Sequence, residues 1–105
     1  MNGEYYRIDT GNGLINISAS TSHGIFNGTQ TLLSLLKGQE KPFRLEALSI
    51  RDYPDLPYRG QMLDIARNFT TVEHLKKLVD VISSYKLHVL HFHFSDDEGW
   101  RLELP

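Results

Sequence analysis

The segment LHVLHFHFSDDEGW, residues 87–100, changes from an apolar run to a polar cluster within a few residues. Leu87 to Phe94 is apolar on both faces, which is typical of a parallel strand that is covered on one side by helices and packed on the other. The cluster combines histidines, the adjacent carboxylates of Asp96 and Asp97, and the chain's single tryptophan. It leaves three interpretations open: a metal site, an acid–base pair or the wall of a sugar pocket.

The residues upstream of this segment predict the rest of a β-α-β unit over residues 58–96. Gln61–Ala66 reads as a short buried strand, and Thr70 with Glu73 has the spacing of a capping box at the start of a helix. The helix ends near Tyr85. Its apolar side consists of Val72, Leu75, Leu78, Val79 and Ile82. Because such crossovers are almost always right-handed, the two strands lie side by side or nearly so and their carboxyl ends point the same way.

The amino-terminal half has a different order of elements, namely strand, strand, helix, strand. The predicted bounds are Tyr5–Asp9 and Leu14–Ala19 for a hairpin that turns at Thr10 to Gly13, then a helix from Ser22 to Gly38, and a strand at Phe43–Ile50. Ser22 is the expected cap of the helix and Gly38 its stop.

One face of this helix is predicted to carry apolar side chains, and two glycines are predicted to lie where the helix packs. Ile25, Leu32, Leu33 and Leu36 fall on one stripe. Gly24 and Gly28, four residues apart, would let the helix approach a sheet closely.

The segment RDYPDLPYRG, residues 51–60, predicts a domain boundary because two prolines and a glycine separate apolar segments. The expected domains are residues 1–52 and residues 53–105. The fold class is therefore α/β, with an α+β lobe of strand-strand-helix-strand followed by a β-α-β unit.

The composition excludes several classes of function. A net charge of −2, with no long run of one sign, does not favour nucleic acid or an anionic membrane surface as a partner. No apolar run approaches the ~20 residues of a membrane span, and the start MNGEYYRIDT lacks the apolar core of a signal peptide. With no cysteine there is neither a disulfide framework nor a thiolate zinc site.

Position in the β-α-β unit ranks the charged residues. In barrels of parallel strands the side chains at the carboxyl ends form the active site, so Arg67, Asp96 and Asp97 outrank Arg59 as functional candidates. Asp64, inside a predicted strand, must be paired if it is charged and is expected to support the site rather than to react.

The histidines and the tryptophan each have two interpretations. His91 and His93 lie on one face of a strand, about 6.6 Å apart along it, as in the H-x-H of metal-dependent barrel hydrolases. A pair of hydrogen-bonded core histidines fits the same pattern. Trp100 could stack on a sugar face or simply pack after the loop.

The motifs YRGQMLDIARNF and YKLHVLHFHFSDDEGWRLELP resemble the opening of the catalytic barrel of glycoside hydrolase family 20, the β-N-acetylhexosaminidases, and especially its bacterial chitobiase-like members. The resemblance is strong over residues 54–105. Residues 4–50 more loosely resemble the latter part of the small α+β domain that precedes that barrel. The resemblance implies the first β-α-β unit of a (β/α)8 barrel.

The resemblance also implies a mechanism and a set of roles. Family members remove terminal N-acetylhexosamine with retention, and the substrate's own acetamido oxygen attacks the anomeric carbon. An adjacent Asp-Glu pair on a later strand orients this group and donates the proton, so no catalytic residue is expected within these 105 residues. Arg67 matches the arginine that holds hydroxyls of the terminal sugar, for which its planar fork of donors is suited. Asp96 matches a relay that supports the general acid through a later histidine, and Asp97 and His93 are assigned to the same support.

The implied partner is an oligosaccharide that ends in N-acetylhexosamine, with no metal and no cofactor. Many family members carry histidine after the sugar-binding arginine, whereas Asn68 stands here. A periplasmic or secreted location is typical of the resemblance. Two other functions stay open: a metal-dependent barrel hydrolase that uses His91 and His93, and a non-catalytic sugar-binding module.

The length of the chain predicts a fragment. A closed barrel of this kind takes about 250 residues, and only two of its strands are predicted here. Such a fragment is expected to lack hexosaminidase activity. It is also expected to self-associate, or to dock its open strands on its own amino-terminal lobe, because exposed strand edges invite pairing.

Overall fold

The dipeptide Asn12-Gly13 reverses the chain between the first two strands. Strand β1 (Tyr6–Gly11) and strand β2 (Leu14–Ala19) pair antiparallel, from Tyr6 opposite Ala19 to Gly11 opposite Leu14. Asn12 and Gly13 have φ angles of 51° and 74°, the left-handed conformations that a two-residue turn of this hairpin type requires. The predicted hairpin is confirmed, and β1 continues two residues further than expected.

The computed structural model describes residues 3–97 and 99–103, and the chain divides into two units, residues 1–57 and 58–105. The outermost residues of both predicted domains, and Glu98 within the predicted loop, lie outside the described residues.

Helix α1 (Ser22–Leu36) begins one residue earlier than its predicted cap implied. The Thr21 hydroxyl accepts the backbone N–H of Gly24 at 3.2 Å, and Thr21 has the extended backbone of an N-cap. Ser22 is therefore the first helical residue, and its assignment as the cap was wrong. Gly38 follows the helix with φ 81°, as expected of a stop.

The glycines of α1 lie against the sheet. A Cβ atom on Gly24 would come within 2.5 Å of the Tyr5 carbonyl oxygen, and one on Gly28 within 2.7 Å of Ile17 Cγ2. The predicted close approach is confirmed. The predicted apolar stripe was wrong in part, because Ile25 and Leu33 are 39% and 54% exposed. The buried positions of α1 are Gly24, Asn27 and Gly28, none of which belongs to the predicted stripe.

Strand β3 (Leu48–Asp52) completes a three-stranded antiparallel sheet in the order β2-β1-β3. The strand was predicted at Phe43–Ile50, but residues 43–47 are not in a strand. The Thr10 hydroxyl donates to the Glu46 carbonyl and accepts the N–H of Leu48, so pairing with β1 begins at Leu48. Tyr6 and Ile8 on the central strand β1 are fully buried.

The second unit contains the predicted β-α-β. Its elements are β4 (Gly60–Asp64), α2 (Val72–Ser84) and β5 (Val89–His93), and β4 and β5 are parallel. Both strands are shorter than predicted. They are also less buried than expected, with Met62 54% exposed.

Helix α2 is capped by Thr71, whose hydroxyl accepts the N–H of His74 at 3.2 Å. The predicted capping box of Thr70 and Glu73 was therefore one residue out of register. The helix ends at Ser84 with Tyr85 as its C-cap, as predicted. Leu75, Leu78 and Ile82 are partly buried, whereas Val72 and Val79 are exposed.

A short hairpin follows β5. Strands β6 (Ser95–Asp96) and β7 (Gly99–Trp100) pair antiparallel. Among the described residues, neither helix is both long and apolar enough to cross a membrane.

Candidate functional site

The carboxyl ends of β4 and β5 lie side by side. Asp64 is opposite His93 in the parallel register. The backbone N–H groups of Ile65 and Ala66 both donate to the His93 carbonyl oxygen, at 3.2 and 3.1 Å. Ile65 and Ala66 are buried, so the chain that leads from β4 toward Arg67 is anchored before it reaches the surface.

Asp64 binds both the backbone and the side chain of Arg67. One carboxylate oxygen accepts the N–H groups of Ala66 and Arg67 at 3.1 and 3.0 Å, and the other accepts Arg67 Nε at 2.5 Å. The Arg67 backbone N–H, followed by its guanidinium, lowers the pKa of Asp64 below its usual value, and the hydrogen bond from Arg67 Nε to Asp64 raises the pKa of Arg67. Asp64 is paired, as expected for a carboxylate in a strand, and it orients Arg67.

Asp96 joins the other strand end to the same arginine. Its Oδ2 atom lies 3.0 Å from His93 Nε2 and 3.4 Å from Arg67 Nε, and its Oδ1 atom accepts the N–H of Asp97 at 2.7 Å. The Asp97 N–H and the hydrogen bond with His93 hold the pKa of Asp96 below its usual range. The Arg67 side chain is nevertheless 63% exposed. Two carboxylates thus hold one edge of a guanidinium that stays accessible to a ligand.

The structure brings together Arg67, His93 and Asp96, with Asp64 beside them. Asp97 contributes its backbone N–H to the cluster. His91 is exposed and lies outside it, and Trp100 on β7 is 56% exposed. The shared face of the two histidines therefore does not make them partners.

A metal could be held by a different set of groups from the one proposed on sequence grounds. Within the described residues, ligand atoms of Asp64, His93 and Asp96 lie within 4.8 Å of one another. Arg67 Nε lies 2.5 Å from one of these carboxylates and 3.4 Å from the other, so a cation already occupies the position between them. The cluster fits an ion-paired arginine better than a divalent ion.

Arg101 is a member of this region to which sequence reasoning gave no role. Its Nε donates to the Ile65 carbonyl at 3.0 Å and its Nη2 to the Ala66 carbonyl at 2.8 Å. Its guanidinium carbon lies 5.6 Å from the centre of the Phe69 ring. No signal in the sequence pointed to this role. In the structure a Cβ at Gly99 would come within 2.5 Å of the Ala66 carbonyl oxygen, which shows how closely the hairpin approaches the chain after β4.

Two sequence models match consecutive parts of the chain. "Glycosyl hydrolase family 20, domain 2" matches residues 1–53 and "Glycosyl hydrolase family 20, catalytic domain" matches residues 56–105. The chain belongs to glycosyl hydrolase family 20. The family predicted from the motifs is confirmed, and so is the fold class of an α+β unit followed by the β-α-β of an incomplete barrel.

Curated relatives of the chain are much longer than the chain itself. It is 40% identical over 103 residues to N,N'-diacetylchitobiase of Vibrio harveyi, which covers 98% of this chain and 11% of that protein. It is 35% identical over 103 residues to β-N-acetylhexosaminidase of Cellulomonas fimi, which covers 97% of this chain and 21% of that protein.

A solved structure gives the same relationship. The exo-β-N-acetylglucosaminidase of Vibrio harveyi, crystallised in complex with N-acetylglucosamine, superposes with a TM-score of 0.89 at 39% identity, over 98% of this chain and 16% of that chain. The arrangement of elements described above is therefore that of a family member.

Proposed function

We propose that these residues form part of an exo-β-N-acetylhexosaminidase that hydrolyses terminal N-acetylhexosamine from oligosaccharides. One observation carries the proposal: Arg67 is fixed by Asp64 and Asp96 at the carboxyl ends of β4 and β5, while its side chain remains 63% exposed. A guanidinium in that position can donate to two neighbouring sugar hydroxyls at once. The names of the relatives support the substrate class.

We assign residues 1–52 to the latter part of the small α+β domain and residues 53–105 to the first β-α-β of the barrel. Within the barrel, Arg67 binds the terminal sugar. Asp96, with the backbone N–H of Asp97 and the ring of His93, belongs to a relay toward a general acid on a later strand. The hydrogen bond between Asp96 and His93 supports that assignment.

The mechanism that we propose uses the substrate's acetamido oxygen as the nucleophile and needs no metal. It is tested with the full-length hydrolase on two aryl glycosides that differ only at carbon 2 of the sugar. We expect turnover of the aryl N-acetyl-β-glucosaminide and none of the aryl β-glucoside, with no loss of activity in EDTA. Equal turnover of both glycosides would contradict assistance by the substrate, and activity that chelation abolishes and zinc restores would favour the metal-dependent alternative.

The 105-residue chain by itself is proposed to be inactive and to self-associate. The general acid is assigned to a later strand, and the exposed side of β4, including Met62, is open to another chain. Light scattering is expected to give a mass above that of one chain, and the aryl glucosaminide is expected to stay intact. A strictly monomeric species would contradict self-association, and measurable turnover would contradict the assignment of the general acid.

A further inference from the structure

Arg101 binds the backbone immediately before Arg67 and contacts a side chain shortly after it. Its fork of donors is shared between the carbonyl oxygens of Ile65 and Ala66, immediately before Arg67. Its guanidinium also lies over the ring of Phe69, two residues after Arg67. The Arg101 side chain therefore contacts residues on both sides of Arg67 in the sequence.

These contacts fix two successive peptide groups. In the peptide that joins Ala66 to Arg67, Arg101 holds the oxygen at 2.8 Å and Asp64 accepts the N–H at 3.0 Å. In the preceding peptide, Arg101 holds the Ile65 oxygen at 3.0 Å, and the Ala66 N–H donates to Asp64 and to the His93 carbonyl. A peptide group is planar, so fixing its oxygen and its N–H prevents rotation about the chain. The direction in which the Arg67 side chain leaves the backbone is thereby set.

The β6–β7 hairpin places Arg101 for this contact. The backbone N–H of Arg101 donates to the Phe94 carbonyl at 3.2 Å, at the end of β5. A Cβ at Gly99 would also come within 3.1 Å of Arg101 Nη2, so the residue opposite Asp96 in the hairpin leaves just enough space for the guanidinium. The chain after β5 thus controls the backbone after β4.

We propose that Arg101 is a positioning residue for substrate binding: it does not touch the sugar, and it holds the Arg67 backbone so that the Arg67 guanidinium meets the sugar hydroxyls. The proposal rests on the proposed role of Arg67. Lysine is a poor replacement for Arg101, because the three donors of an ammonium radiate from one nitrogen and do not reproduce the two spaced N–H groups of the planar fork.

The test is a double-mutant cycle in the full-length hydrolase on an aryl N-acetyl-β-glucosaminide. Its members are wild type, Arg101→Lys, Arg67→Ala and the combined variant. We expect Arg101→Lys to raise KM about tenfold with a smaller change in kcat, because uniform binding to the sugar is weakened. In the Arg67→Ala background the same substitution is expected to change KM less than about twofold, because the two residues act through one contact.

The matched control is Arg59→Lys, since Arg59 also donates Nε and Nη2 to a backbone carbonyl, that of Lys86, at the opposite ends of the strands. We expect it to leave KM unchanged. Phe69→Leu, which removes the ring but keeps the fork, is a second variant and is expected to raise KM by a smaller factor that also depends on Arg67. It carries the test if Arg101→Lys does not fold.

The outcomes separate the two proposals. If Arg67→Ala raises KM but Arg101→Lys has the same effect in both backgrounds, or none, Arg101 is not a positioning residue and the role of Arg67 stands. If Arg67→Ala leaves KM unchanged, the proposed function of Arg67 fails and the inference about Arg101 fails with it.

Discussion

The two ends of the β4–β5 pair use arginine in the same way but differ in what surrounds it. At the amino ends, Arg59 donates through Nε and Nη2 to the Lys86 carbonyl, at 2.9 and 2.8 Å. At the carboxyl ends, Arg101 donates through the same two nitrogens but to two carbonyl oxygens, and a second arginine, Arg67, is held by two carboxylates with its side chain exposed. An arginine that donates to backbone carbonyls therefore supports the structure at both ends. At the carboxyl ends there is in addition an arginine, Arg67, whose guanidinium is accessible to a ligand.

Arg67→Ala is expected to have the largest effect on activity. Each charge-assisted hydrogen bond contributes roughly 1.5–3 kcal/mol, so the loss of contacts to two hydroxyls should lower kcat/KM about 100-fold or more. Arg59→Ala is the matched truncation at the amino ends and should leave kcat/KM within about threefold while lowering the free energy of unfolding by roughly 1.5–3 kcal/mol. Steady-state kinetics of both variants in the full-length hydrolase measure the difference. Equal losses of kcat/KM would remove the functional distinction between the two ends.

Asp96→Asn is expected to lower kcat about tenfold. General acid catalysis typically contributes roughly 100-fold or more, and this substitution weakens the support of the general acid without removing the acid itself. The amide keeps the shape of the side chain but removes the charge that faces His93 and Arg67 at 3.0 and 3.4 Å. One limb of the pH profile of kcat should shift, because the relay to the general acid loses its charge. A pH profile that superposes on that of the wild type would argue that Asp96 only shapes the loop.

Asp64→Asn tests the electrostatics of the same end through stability. The pKa of Asp64 is lowered in the folded protein, first by the Arg67 backbone N–H. The ionised carboxylate therefore stabilises the fold at pH values above the ordinary aspartate pKa of about 3.9. This contribution is lost as the pH falls through the lowered folded-state pKa.

The measurement is the thermal midpoint of the full-length hydrolase as a function of pH. Asp64→Asn should have a lower thermal midpoint than the wild type at pH 7. The difference between the two midpoints should become smaller on acidification through and below about pH 4. A gap that is independent of pH would show that the ionised state of Asp64 does not support Arg67.

Periodicity and turn chemistry were enough to predict the local elements. The Asn12-Gly13 hairpin and the β-α-β unit depend on short-range signals. Both predicted helix caps were one residue out, because Thr21 and Ser22, like Thr70 and Thr71, are adjacent residues that can both cap a helix. The alternation at Phe43–Ala47 resembled a strand, yet pairing depends on where β1 ends, which is a tertiary property.

The candidate site was predictable only where its residues have distinctive side-chain partners. The position of Arg67 and Asp96 at strand ends could be inferred from the β-α-β unit, and the structure joins them at 3.4 Å. Arg101 could not be inferred, because its partners are the backbone carbonyls of Ile65 and Ala66, which every residue type offers. A shared strand face does not determine which of the two histidine rings meets a carboxylate, and in the structure the ring of His93 contacts Asp96.

The most direct measurement of the central claim is a crystal structure of the full-length hydrolase with N-acetylglucosamine bound. Arg67 is predicted to donate to two neighbouring hydroxyl oxygens of the sugar at about 2.7–3.2 Å, with Asp64 and Asp96 still bound to its other edge and Arg101 still on the Ile65 and Ala66 carbonyls. A sugar that occupies the barrel without any contact to Arg67 would contradict the account.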